Sequence, residues 1–137
     1  MGVSIYCKKT GKSIDMGYVG FYNLRKKVAE LAGGPFAEHY TSLKPFGDKE
    51  YFEAFNRKTA EILDKKQADI KIVDFCLQSD CEGRIRYGAC KNILKAIGDY
   101  DDDIVYGYCG RPDCAMFKDF KKILEDCVEN RCDMVWR

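Results

Sequence analysis

Four cysteines in the last third of the chain, Cys109, Cys114, Cys127 and Cys132, have the type and the spacing to do chemistry. Written as intervals they read C-x4-C-x12-C-x4-C, within the range used when two ligands on a turn and two on a helix hold a zinc ion. A tetrahedral thiolate site brings its sulfurs to about 2.3 Å from one point, so one pair needs a tight loop and the other a rigid element packed over it. Gly110, Pro112 and Asp113 suit the loop. From Ala115 onward, Phe117, Phe120, Ile123, Leu124, Cys127 and Val128 recur at three- and four-residue steps, the stripe of an amphipathic helix. Cys127 lies on that stripe near the helix end. Cys132, five positions on, would rotate off it if the helix continued, but Asn130 offers a stop from which the chain can turn back. A bound metal would keep the cysteines as thiolates. The same residues are also compatible with ordinary reduced thiols in a core, or with a disulfide pair.

The elements that must position these sulfurs follow from periodicity. Val3–Cys7 and Ser13–Met16 alternate around the turn 8–12, which predicts a β-hairpin with Gly11 supplying the positive φ. The glycine-punctuated stretch 17–21 reads as a loop or bulged entry. Leu24, Val28 and Leu31 predict a helix ended by Gly33-Gly34-Pro35, with a short helical piece at 36–40. Asp48 caps a helix over 49–65, and residues 68–79, apolar over much of their circumference, read as the most buried helix. Ser79–Ile85 looks like half of a calcium loop but lacks the spaced oxygen ligands and closing Glu, so it reads as a glycine turn and a short strand at Ile85. A helix over 87–97 turns Cys90, Ile93, Leu94 and Ile97 inward. Residues 104–109 are β-rich, and Met134–Trp136 can add an edge strand.

The resulting expectation is an α+β fold: an N-terminal β-hairpin, about four or five helices, short C-terminal strands, and a zinc-stapled, ββα-like C-terminal unit. All 137 residues form one domain, with a zinc-finger-like subregion at 104–136. Cys7, Cys76, Cys81 and Cys90 could make a second site on ligand count alone, although Cys76 and Cys90 read as core.

Composition narrows the function. The 23 basic residues offset 22 acidic ones to a net charge of +1, so no global basic field draws nucleic acid, and direct nucleic-acid binding is not expected. The first residues lack a basic segment followed by an apolar run, and no stretch reaches the ~18 apolar residues of a membrane span. A cytoplasmic protein with no membrane association is therefore expected, with eight cysteines pointing to metal or buried thiols before disulfides. No phosphate loop, dinucleotide fingerprint, nucleophile elbow or zinc-protease motif is present. His39 has no acidic or nucleophilic partner at local spacing and reads as a surface or capping side chain. A four-thiolate zinc is coordinatively closed, which favours a structural role and a binding protein over an enzyme. Two basic groups could form its contact face: Arg25, Lys26 and Lys27, and, falling together around Gly83, Arg84, Arg86, Lys91 and Lys95.

Three stretches, Gly2-Val-Ser-Ile-Tyr-Cys-Lys-Lys-Thr-Gly-Lys-Ser-Ile-Asp-Met-Gly-Tyr18, Ser79-Asp-Cys-Glu-Gly-Arg-Ile85 and Phe117-Lys-Asp-Phe-Lys-Lys-Ile-Leu-Glu-Asp-Cys127, resemble small proteins encoded by phages and prophages of Gram-positive bacteria. These include anti-CRISPR proteins, one kind of which is a zinc-containing inhibitor of Cas9. The resemblance spreads over most of the chain and fixes no site residues. It implies a protein that binds a bacterial CRISPR effector in the host cytoplasm and blocks guide or target DNA loading. Two other functions fit the residues: a sponge for a nucleotide immune signal, with Arg and aromatic side chains in a concave pocket, or a small zinc-containing nucleic-acid-binding protein.

Overall fold

A computed structural model of the chain describes residues 2–44, 46–100 and 116–137. The expected hairpin is present: strands β1 (Gly2–Cys7) and β2 (Ser13–Gly17) pair antiparallel with Val3 opposite Met16 and Ile5 opposite Ile14. Gly11, at φ 73°, turns the chain, and its N–H donates to the Cys7 carbonyl at 2.9 Å. Strand alternation puts Val3, Ile5 and Cys7 on the buried face.

Two short strands complete an antiparallel sheet in the order β2-β1-β4-β3, with β3 at Gly83–Ile85 and β4 at Met134–Trp136. The edge position expected for 134–136 is corrected here. β4 is an interior strand, held by β1 on one side and β3 on the other. The physical reason is pairing on both sides: Met134 stands opposite Cys7 on β1 and Ile85 on β3, and Trp136 opposite Ile5 and Gly83. Gly83 makes this possible, because a Cβ there would stand 2.3 Å from a carbon of the Trp136 indole.

Six helices are described, α1 (Tyr18–Ala32), α2 (Gly34–Thr41), α3 (Lys49–Asp64), α4 (Ile70–Leu77), α5 (Tyr87–Ile97) and α6 (Phe117–Asn130). The glycine-rich stretch expected as a loop is instead the N-cap and first turn of α1. Burial of Gly20 and Phe21 against the core outweighs the weak helix propensity of glycine. Asp48 and Asp69 cap α3 and α4, accepting from the N–H of Tyr51 at 2.7 Å and of Lys71 at 2.9 Å. The α4 helix is shorter than the sequence suggests, and its ends open to solvent, with Ile70 65% and Leu77 39% exposed. No described helix is long and apolar enough to cross a membrane.

Helices α1, α4 and α6 touch the sheet, α5 packs on all three, and α2 and α3 extend outward from α1. The centre of the core is aromatic: Phe75 meets Phe21, Trp136 and Phe120 at ring separations of 6.1, 5.7 and 5.8 Å. Arg25, expected on a basic contact face, is buried over this cluster, 4.2 Å above the Phe21 ring. Its guanidinium donates to the carbonyls of Cys76, Gln78 and Ser79 at 3.2, 2.8 and 3.0 Å, closing the C-terminal end of α4. Trp136 Nε1 donates to the same Ser79 oxygen at 2.9 Å.

Candidate metal centre

The sulfurs that converge come from both halves of the fold. Cys7 ends β1, Cys127 lies in the last turn of α6, and Cys132 follows the helix cap; their Sγ atoms all lie within 4.8 Å of one another. Cys7 and Cys127 are fully buried and Cys132 is half-buried.

Local chain chemistry explains how Cys132 returns to Cys127. The α6 helix stops at Asn130, and Arg131 takes the left-handed conformation at φ 50°. The Cys132 N–H then donates to the Cys127 carbonyl at 3.1 Å and the Arg131 N–H to Val128 at 3.4 Å, the paired reverse bonds of a Schellman ending. A side chain five residues along therefore sits beside Cys127 instead of a third of a turn away. Cys7 arrives by tertiary pairing: it stands opposite Met134 in the β1–β4 register, and the next N–H, of Lys8, donates to Asp133 O at 3.1 Å.

The Cys7 and Cys132 sulfurs are 3.0 Å apart, and Cys127 Sγ donates to Asp133 O at 3.6 Å. The three thiols are not equivalent. Burial pushes the Cys7 thiol up, but the S–H of Cys132, the Thr10 side chain and the backbone of Thr10 and Lys9 outweigh it, bringing Cys7 down to about 7. Cys127 is pushed far above the ordinary thiol range, chiefly by its hydrogen bond with Cys90, then by burial and by Cys7. Cys132 is raised by burial and by its bond to Cys7. Of the three thiols Cys7 is thus held lowest and Cys127 highest, and a cation bound by all three sulfurs would displace their protons to solvent.

The donor set fits a soft divalent metal. Three sulfurs at 2.3 Å from a tetrahedral zinc would be about 3.8 Å apart, so the observed cluster needs Cys7 and Cys132 to open by less than an ångström. Of the four cysteines expected from spacing, Cys127 and Cys132 are brought together, while Cys109 and Cys114 lie outside the described residues, as does the expected strand at 104–109. Cys7 is the ligand that spacing did not supply. Its signal was its place on the inward face of a strand, which says that a thiol is buried but not beside what. The second set, Cys7, Cys76, Cys81 and Cys90, is not assembled: Cys76 is buried near Arg25, its S–H 3.8 Å from the Arg25 carbonyl, and Cys81 is exposed. Burial pushes the Cys76 thiol up to about 12, marking it as an inert core group.

The basic residues expected as a contact face, Arg84, Arg86, Lys91 and Lys95, are all exposed. Arg84 and Arg86, with Lys71, Asp74 and Tyr87, line a cavity of about 550 Å³ at the start of α5. Gln78 sets Arg84 in place, accepting from its N–H at 3.1 Å and donating to its carbonyl at 2.8 Å. Lys95 lines a different cavity of about 730 Å³ with Lys66 and Asn92, and Lys91 lines neither.

His39, expected at the surface or as a cap, is buried. Its ring stacks on Phe55 at 4.0 Å, and Nε2 meets Thr59 Oγ1 at 2.8 Å. The apolar face of α3 supplies both neighbours, and the deviation arises because α2 docks on α3 through this ring. Comparison of the chain with known protein families, with curated proteins and with solved structures finds no match.

Proposed function

We propose that the chain is a cytoplasmic, non-catalytic binding protein whose cysteine junction holds a structural zinc, and that it acts as an anti-defence protein against a bacterial CRISPR effector such as Cas9. The observation that carries the metal reading is the convergence of Cys7, Cys127 and Cys132. Soft thiolates within tetrahedral reach suit zinc, and a fourth sulfur from Cys109 or Cys114 would give a closed shell. Such a site holds the first strand to the last helix and does no chemistry on substrate. The partner rests on the resemblance of residues 2–18, 79–85 and 117–127 to phage-encoded proteins. Its mode would be stoichiometric: the bound protein denies the effector its guide or target DNA. The contact is assigned to the exposed Arg84, Arg86, Lys91 and Lys95.

The test has two parts. Elemental mass spectrometry on protein purified without added zinc should find about one zinc per chain, retained in Cys81→Ser and lost in Cys7→Ser and Cys127→Ser. Titration into a Cas9 DNA-cleavage assay should inhibit at a one-to-one ratio, weakened by a paired Arg84→Glu, Arg86→Glu variant. Zinc without inhibition would leave the metal site and remove the partner.

The cavity at the start of α5 favours a second reading, a sponge for a nucleotide signal. Three cations and Tyr87, 44% exposed, face a concavity of about 550 Å³, a size that takes a small ligand. Nucleotide absorbance released on denaturing freshly purified protein would select this reading.

A further inference from the structure

We propose that Cys7 and Cys132 are a covalent modification site: a peroxide-class oxidant joins them in a reversible disulfide that clasps the first strand to the turn before the last. The geometry carries this. The two sulfurs stand 3.0 Å apart, and a disulfide of about 2.05 Å needs them to close by roughly 1 Å. Each is held by backbone bonds on both sides of the pair. The Cys7 N–H donates to Lys12 O at 3.1 Å, the Lys8 N–H reaches Asp133 O at 3.1 Å, and the Cys132 N–H is bound to Cys127 O at 3.1 Å. Neither cysteine has to travel, so the oxidised form keeps the fold.

Accessibility assigns the order of events. Cys132 is half-buried, whereas Cys7 and Cys127 are fully buried, so the oxidant meets Cys132 first. The Cys132 thiol gives up its proton and its sulfur attacks one peroxide oxygen; the O–O bond breaks, and the hydroxide that leaves takes that proton, so the products are a Cys132 sulfenic acid and water. The Cys7 sulfur then attacks the Cys132 sulfur, the S–O bond breaks, and the departing hydroxide takes the Cys7 proton as a second water. Two thiols are oxidised, one peroxide is reduced, and two waters result. Cys127 remains a thiol.

For the metal, the consequence rests on the zinc reading above. A disulfide offers no thiolate, so the described cluster falls from three donors to one and zinc leaves. Bound zinc, in turn, shields both sulfurs from oxidant. Metal and clasp are alternative ways of tying the same two segments.

The test uses full-length protein in two states. Metal-free protein is treated with hydrogen peroxide, alkylated and mapped by peptide mass spectrometry. The expected product has lost two hydrogens, links the Cys7 peptide to the Cys132 peptide, and reverts with dithiothreitol; Cys132→Ser does not form it and Cys81→Ser does. Because a serine variant can misfold, the wild-type map decides: links scattered over other cysteines, or Cys132 carried to sulfinic acid without a link, overturns the proposal. In the second state, zinc-loaded protein should oxidise at least tenfold more slowly and release one zinc per link formed, read with a chromogenic chelator. A Cys7–Cys132 link in a chain that binds no zinc upholds the clasp and removes the metal reading. Tight zinc with no link in the metal-free form does the reverse.

Discussion

Strand β4 runs between two buried polar clusters that solve the same problem differently. At the Trp136 end, the Arg25 guanidinium satisfies three carbonyls and lies over Phe21, a charge neutralised by protein dipoles, with only Nε left without a partner. At the Met134 end, three thiols face one another, and a thiol is a weak donor and a weak acceptor. The arginine knot, but for that Nε, is complete within the chain. By the readings proposed above, the cysteine junction is completed by a metal ion or a covalent bond. Stability should therefore depend on solution conditions at one end of β4 and not at the other.

The largest effect is expected at the arginine end. Arg25→Met takes one donor from each of three carbonyls, of which Cys76 keeps the Tyr40 hydroxyl and Ser79 keeps Trp136 Nε1, and it removes the cation over Phe21; it should cost about 3–4 kcal/mol in urea denaturation, by the same amount with or without zinc. Arg25→Lys should recover less than half, because an ammonium cannot reproduce the fork. A zinc-dependent loss here would break the contrast. Next comes metal at the other end: free zinc a hundredfold above its dissociation constant should raise stability by about 2.7 kcal/mol. Cys7→Ser should lose that increment and leave the arginine end intact.

His39 belongs to neither cluster and sharpens the comparison through pH. Burial lowers its pKa, with Lys58 adding to the effect, so the folded chain holds it neutral while the unfolded chain titrates near 6.5. Its contribution is full above that pH and declines as pH falls through it, because the unfolded state gains the proton first. His39→Gln should flatten stability between pH 7 and pH 5 at a cost of about 1 kcal/mol at pH 8. The smallest effect is at the turn before Cys132. Arg131→Gly should add about 0.5–1 kcal/mol by relieving the left-handed residue, with zinc affinity unchanged.

Local chemistry was legible in the residues. The hairpin, the aspartate cap at 48, the inward stripe of α6 and the stop at Asn130 each depend on neighbours within a few positions, and Cys127 with Cys132 came from the same source. The glycines at 17 and 20 misled, since propensity said loop where the burial of Phe21 imposed a helix.

What the sequence by itself determined was the α+β class, the placement of most elements and the presence of a thiol cluster near the last helix. Only tertiary structure decided that Cys7 joins it from 125 residues away, that β4 is interior, that Arg25 is buried and that Arg84 and Arg86 line a different cavity from Lys95. The reason is physical: periodicity and capping are written in contacts a turn apart, whereas strand pairing places residues by the shape of the core they share.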